Sequence, residues 1–202
     1  MTTQKPPFEY CALQFAIQWE QLERPLHESM IGTPAQSAVR SALKHFRVAR
    51  SFKGLASERA VESIVDSLQD VDSQKASSPE EKVITLASHF KKNFGQFNVS
   101  ASSKLLWLRY RSPFVIYDSR AVLAIQRESG TFKAQDYELY CRRWRALYGN
   151  NLEDIRRATL RLREWATLLP PWNKTPHDVA MLASEAWFVE RVFDRFLWER
   201  GG

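Results

Sequence analysis

The segment SPEEKVITLASHFKKNFG, residues 78–95, spells out a helix from one end to the other. Ser78 offers a capping hydroxyl, and Pro79 suits the first helical position, where a missing N–H is no loss. Glu80 and Glu81 fill the first turn, Lys91 and Lys92 come late, and Gly95 follows the end. Every charge lies where the helix dipole favours it. The same pattern recurs along the chain. FEYCALQFAIQWEQLER sets Phe8, Leu13, Phe15, Ile17 and Leu22 at helical spacing, and Pro25 ends or bends that helix. GTPAQSAVRSALKHFRVARSF starts with Thr33 as cap and Pro34 as first residue, and Gly54 closes it. SERAVESIVDSLQDVD is capped by Ser57. TFKAQDYELYCRRWRALYG and NLEDIRRATLRLREWATLL predict two further helices, the second stopped by Pro170 and Pro171. TPHDVAMLASEAWFVERVFDRFLWER opens at Thr175 and Pro176 and reads as one helix nearly to the last residue.

Nothing competes with this helical reading. FVIY at 114–117 is the one convincing β-like run, and it is too short and isolated to build a sheet. Only 7 glycines are present, which disfavours Gly-rich phosphate loops and hairpin-rich β folds. Hydrophobic residues make up 44 %, enough for a real core and against disorder. The expected fold is all-α, a compact bundle of about eight helices. MTTQKPP, residues 1–7, reads as a flexible polar tail, and 8–202 as one helical domain. The polar loop DSQKASS leaves a subdomain break near 72–78 open. Cys11 and Cys141 lie far apart, and His27, His45, His89 and His177 are scattered, so no metal and no cofactor is expected. With no signal-peptide pattern and no apolar run of membrane-spanning length, the default is a reduced, cytoplasmic protein with no membrane partner.

The net charge is +6, and the excess lies in the second half: residues 1–101 carry 12 basic and 11 acidic side chains, residues 102–202 carry 17 and 12. That balance suits a nucleic-acid partner, and it suits a plain solvated basic surface as well. Arg40, Lys44 and Arg47 recur at four and three residues and so share one face of a helix, with Arg50 and Lys53 extending it. Such a stripe can track a DNA backbone, although a solvated face accounts for it too. CRRWR at 141–145 and DIRRATLRLR at 154–163 are basic without being specific.

The chemistry gathers in SASSKLLWLRYRSPFVIYDSRAVLAI, residues 100–125. Asp118 precedes an apolar helix, and as its N-cap would contribute about 1 kcal/mol. Lys104 is the unusual placement. Ser100, Ser102 and Ser103 all offer caps, which puts the lysine in a first turn among apolar neighbours. The positive end of a helix and loss of water both disfavour its ammonium form, and a neutral amine is a nucleophile. The competing reading is a lysine that snorkels to solvent or grips a phosphate. Ser112–Pro113 breaks the first helix, and FVIY runs back toward the start of the second. Amine and carboxylate at two neighbouring helix starts match a definite chemistry. The amine attacks a sugar carbon as a base departs, and the carboxylate stabilises the positive charge that develops. Trp107, three residues after Lys104, and Tyr117 would wall a flipped base, although a core role is the more ordinary reading of the tryptophan. Arg120 would meet a phosphate or pair with an acid.

On NVSASSK and FVIYDSR the chain resembles the helix-hairpin-helix DNA glycosylase superfamily, in particular its 8-oxoguanine DNA glycosylase branch. The resemblance covers about thirty residues and departs from the family in three ways. The hairpin lacks the usual glycines, the lysine-to-aspartate spacing is shorter than usual, and there is no iron–sulfur cysteine set. The resemblance implies Lys104 as nucleophile and Asp118 as the charge-stabilising, proton-shuttling residue. It implies DNA carrying a modified purine as substrate, strand cleavage through a Schiff base, and serines 100, 102 and 103 as phosphate ligands in place of the glycines. Compact bacterial relatives of this kind are expected in anti-phage systems rather than in housekeeping repair. The alternative is a glycosylase-like module that binds nucleic acid or protein and performs no chemistry.

Overall fold

Every element among the described residues is helical, and each boundary has a local cause. The computed structural model describes residues 7–52, 54–74, 77–133, 136–168 and 174–202. The polar start at 1–6, Lys53 and the expected helix stop at Pro170–Pro171 lie outside them. In order the helices are α1 (Phe8–Gln18), α2 (Arg24–Met30), α3 (Gln36–His45), α4 (Glu58–Ser73), α5 (Pro79–Phe94), α6 (Val99–Tyr110), α7 (Ser119–Ser129), α8 (Tyr137–Leu160), α9 (Pro176–Ser184) and α10 (Ala186–Gly201). A π-helical turn, Trp19–Glu23, joins α1 to α2, and 3₁₀ turns occupy Ala49–Ser51 and Arg161–Leu168.

The strongest end signals hold. At α5 the Glu81 N–H donates to the Ser78 hydroxyl at 3.1 Å, and the Ser78 N–H donates to the Glu81 carboxylate at 2.7 Å. Gly95 follows at φ 76°. Ser57 caps α4, accepting from the Ala60 N–H at 3.2 Å. Thr175 and Asp178 form a second reciprocal cap at α9.

Other boundaries depart from expectation. The helix expected to end or bend at Pro25 widens into the π turn, and Pro25 then sits in the first turn of α2, where it needs no donor. Thr33 does not cap α3, which starts at Gln36 after Ala35 without a side-chain cap. The Thr33 hydroxyl instead accepts from the Gln69 side chain on α4, 3.1 Å away. Nor does α3 reach Gly54. It closes at His45, where the Val48 N–H donates to the Leu43 carbonyl at 3.0 Å and Arg47 takes the left-handed position at φ 55°. The two helices expected over 131–149 and 151–169 merge into α8, because the exposed Gly149 costs only about 1 kcal/mol inside a helix and does not break it. The expected last helix divides at Glu185, whose φ −63° and ψ 130° are extended.

The chain forms two compact units, residues 22–117 and residues 1–21 with 118–202. The division falls inside the π turn and between Tyr117 and Asp118. The 72–78 link is instead an internal connection of the first unit, leading from α4 to α5.

In the 22–117 unit α6 packs against α5, α2 and α3. It is buried nearly all round, from Leu105 through Leu108, as a helix apolar on every side must be. Its last turn is held by polar groups. The His27 ring Nδ1–H donates to the Leu108 carbonyl at 2.6 Å, and burial pushes the His27 pKa down. The buried Arg109 donates to the Met30 carbonyl at 3.2 Å and pairs with Asp72 of α4, which also accepts from the Tyr110 hydroxyl. In the other unit α10 packs on α1, α7, α8 and α9. Phe15 lies 4.9 Å from Phe188, and Trp19 4.4 Å from Trp187, centroid to centroid. One carboxyl is enclosed there: Asp194 accepts from Trp144 Nε1–H at 2.7 Å, and burial pushes its pKa up to about 7 despite nearby Arg191. Cys11 and Cys141 are buried too, and burial pushes the Cys11 thiol up to about 12, which makes it unreactive.

Candidate active site

Lys104 is not in a first turn. Asn98 takes the N-cap, its side-chain oxygen accepting from the Ala101 N–H at 2.9 Å, so α6 starts at Val99 and the lysine is its sixth residue. Helix polarity acts mainly within the first turn and is weak at that position. Burial is the real constraint, since Lys104 is only 6 % exposed. Its amine donates to the Ser100 hydroxyl, one turn earlier, at 3.0 Å.

The three serines have three different duties. The Ser102 hydroxyl donates back to the Asn98 carbonyl at 2.9 Å. The Ser103 hydroxyl donates to the Ser100 carbonyl at 3.3 Å and accepts from the Tyr117 N–H at 2.9 Å. Both residues are fully enclosed, so the expected phosphate contacts by Ser102 and Ser103 are closed off; inside a helix such hydroxyls turn to the preceding carbonyls. Ser100 is half-buried and keeps an edge toward solvent. Trp107 is 1 % exposed and belongs to the core, which removes it as a wall for a base. Its neighbours Leu105, Leu106 and Leu108 carried that signal, because no polar face was left for it to share.

The segment after α6 reverses the chain. Arg111 adopts φ 62°, ψ −113°, a conformation that glycine takes more easily, and Phe114, Val115 and Ile116 are buried without forming a strand. Tyr117 is half-buried, and its N–H is tied to Ser103, one residue from Lys104 along α6. Asp118 comes next in the chain. As expected it opens α7, its carboxylate accepting from the Arg120 N–H at 3.0 Å, and it is half-buried. The unit boundary passes between Tyr117 and Asp118, so Lys104 and Asp118 belong to different units.

The basic side chains sort by what they touch. The Arg40 guanidinium donates to the carbonyls of Leu55 and Ser57, the latter at 3.0 Å, and so holds the turn ahead of α4 instead of facing a phosphate. Lys44 is exposed on α3. Arg47 is exposed beyond the end of α3, so the three do not form one helical stripe. Arg120 is exposed, its guanidinium 4.0 Å over the ring of Trp198. Arg195 reaches the same ring at 4.8 Å. Sequence reasoning missed this half-buried tryptophan. Its signal was the Arg195–Trp198 spacing on one helix face.

Among the described residues no group of three His, Cys, Asp or Glu side chains is placed to hold a metal. No helix among them is long and apolar enough to cross a membrane. Comparison of the chain with family models, curated proteins and solved structures finds no match in any of the three.

Proposed function

We propose that the chain is a DNA glycosylase that excises a modified purine, with Lys104 as nucleophile and Asp118 as the acid that steadies charge on the sugar. The neutral amine forms a bond to C1′ while the C1′–N bond breaks and its electron pair leaves with the base. The departing base takes up a proton, the nitrogen gives one up as the C1′–O4′ bond breaks, and the ring oxygen takes one up, which leaves a Schiff base. Loss of a proton from C2′ then expels the 3′ phosphate and cuts the strand. 8-oxoguanine is the substrate named by the resemblance, and the same resemblance suggests an anti-phage setting.

One observation carries the reading. A nearly buried lysine amine is held by a hydroxyl in α6, and the next residue of that helix, Ser103, pins the segment leading directly into Asp118. Buried lysines are rare, and one on a helix whose next residue holds the approach to a carboxylate is a candidate for function. The test is borohydride trapping on duplexes carrying 8-oxoguanine or an abasic site, with base release measured in parallel. Wild type is expected to form a covalent adduct, and Lys104→Gln to form none. Asp118→Asn, which keeps a capping oxygen, is expected to slow base release about 10²–10³-fold. No adduct and no base release on any modified duplex would end the reading.

The burial of Trp107, which removes a wall for a flipped base, favours a second reading, a binding module without chemistry. It predicts salt-dependent DNA binding with neither adduct nor released base.

A further inference from the structure

We propose that Ser100 is the proton outlet of Lys104. The amine belongs to a residue only 6 % exposed, and one hydrogen bond from it, at 3.0 Å, runs to a half-buried hydroxyl nearer the start of α6. A hydroxyl accepts and donates at the same time. The neighbouring serines are committed otherwise, since Ser102 and Ser103 give their hydrogens to the carbonyls of Asn98 and Ser100. Ser100 meets the amine as an acceptor, which leaves its own hydrogen to be given to water. In the transfer an N–H bond of the ammonium breaks and that proton joins the Ser100 oxygen. The hydrogen already on that oxygen passes to a water molecule and on to bulk buffer. The electron pair stays on the lysine nitrogen, ready to attack.

Its use in catalysis rests on the glycosylase reading, because an attacking amine must first shed a proton, while the exchange itself is a property of the protein alone. Its test does not need DNA. In protein labelled with nitrogen-15 at lysine, exchange of the Lys104 amine hydrogens with water is followed by NMR. If the hydroxyl conducts the proton, Ser100→Ala slows that exchange roughly tenfold, the size of a modest proton-transfer contribution, and Ser100→Thr restores it. The pair Ser100→Thr and Ser100→Val repeats the comparison at constant shape, so a misfolded alanine variant does not decide the matter. Exchange that is unchanged or faster without the hydroxyl would show that Ser100 merely shields the amine, and the outlet would be wrong. Single-turnover trapping on abasic-site DNA separates this idea from the glycosylase reading. If wild type forms no adduct while exchange depends on Ser100, the glycosylase reading fails and the outlet stands. If Ser100→Ala forms adduct at the wild-type rate, the outlet fails and the glycosylase reading stands.

Discussion

Arg47 occupies the left-handed position after α3 that glycine usually fills where a helix ends in this way. A side chain there costs about 1 kcal/mol, and this one is exposed. Arg47→Gly is therefore expected to raise stability by about 0.5–1 kcal/mol, read as a higher urea midpoint at unchanged slope. A lower midpoint would mean that the arginine makes compensating contacts. The same scale shows why the lysine region was only partly legible. Asn98, Ser100, Ser102 and Ser103 are all good caps, and local propensity does not rank them. The choice fell to Asn98 because starting α6 at Val99 turns Ser102, Ser103 and the leucines into the core together. Asp118 was legible because only it and Ser119 offer a cap between Pro113 and the apolar run of that helix.

At the scale of elements, α7 and α10 meet so closely that only glycine fits at one crossing point. A Cβ on Gly201 would fall inside the Arg120 carbonyl, and no rotation of a side chain relieves a clash with backbone. The junction is reinforced by Arg127, which donates to the Arg200 carbonyl at 2.6 Å, and by the Arg200–Glu128 pair. Gly201→Ala is expected to lower unfolding stability by about 1–3 kcal/mol, the usual cost of overpacking, although alanine is the better helix former. An unchanged urea midpoint would show that the end of α10 moves aside freely. Element ends followed the same logic elsewhere. The reciprocal caps at Ser78 and Thr175 were readable because each closes its hydrogen bonds within four residues. The merging of α8 across Gly149 and the break at Glu185 were not, since both depend on what the flanking helices pack against.

For the molecule as a whole, the enclosed carboxyl of Asp194 sets a pH dependence. An aspartate in the unfolded chain has a pKa of about 3.9, and burial raises that of Asp194 to about 7. Between these values the folded state holds a proton that the unfolded chain has released. Stability from this group therefore falls as pH rises through that window, and the loss is complete above the folded value. Trp144 on α8, Arg191 and Glu190 on α10, and Asp118 at the start of α7 are the groups that act on it. Asp194→Asn keeps an oxygen for Trp144 and removes the titration. The variant is expected to gain, relative to wild type, on the order of a few kcal/mol between about pH 4 and about pH 8. Parallel stability curves for the two proteins would contradict an enclosed protonated acid. The division into two units belongs to this scale as well. The sequence offered the polar loop at 72–78 as a break, yet composition marks a link without saying which cores its flanks join.

Helical periodicity, strong caps and scarce glycine by themselves mark this chain as all-α, because those signals act over a few residues and need no distant partner. Burial was decided elsewhere. Whether a lysine or a serine on α6 faces solvent depends on helices far along the chain that pack around it, and no local pattern carries that information.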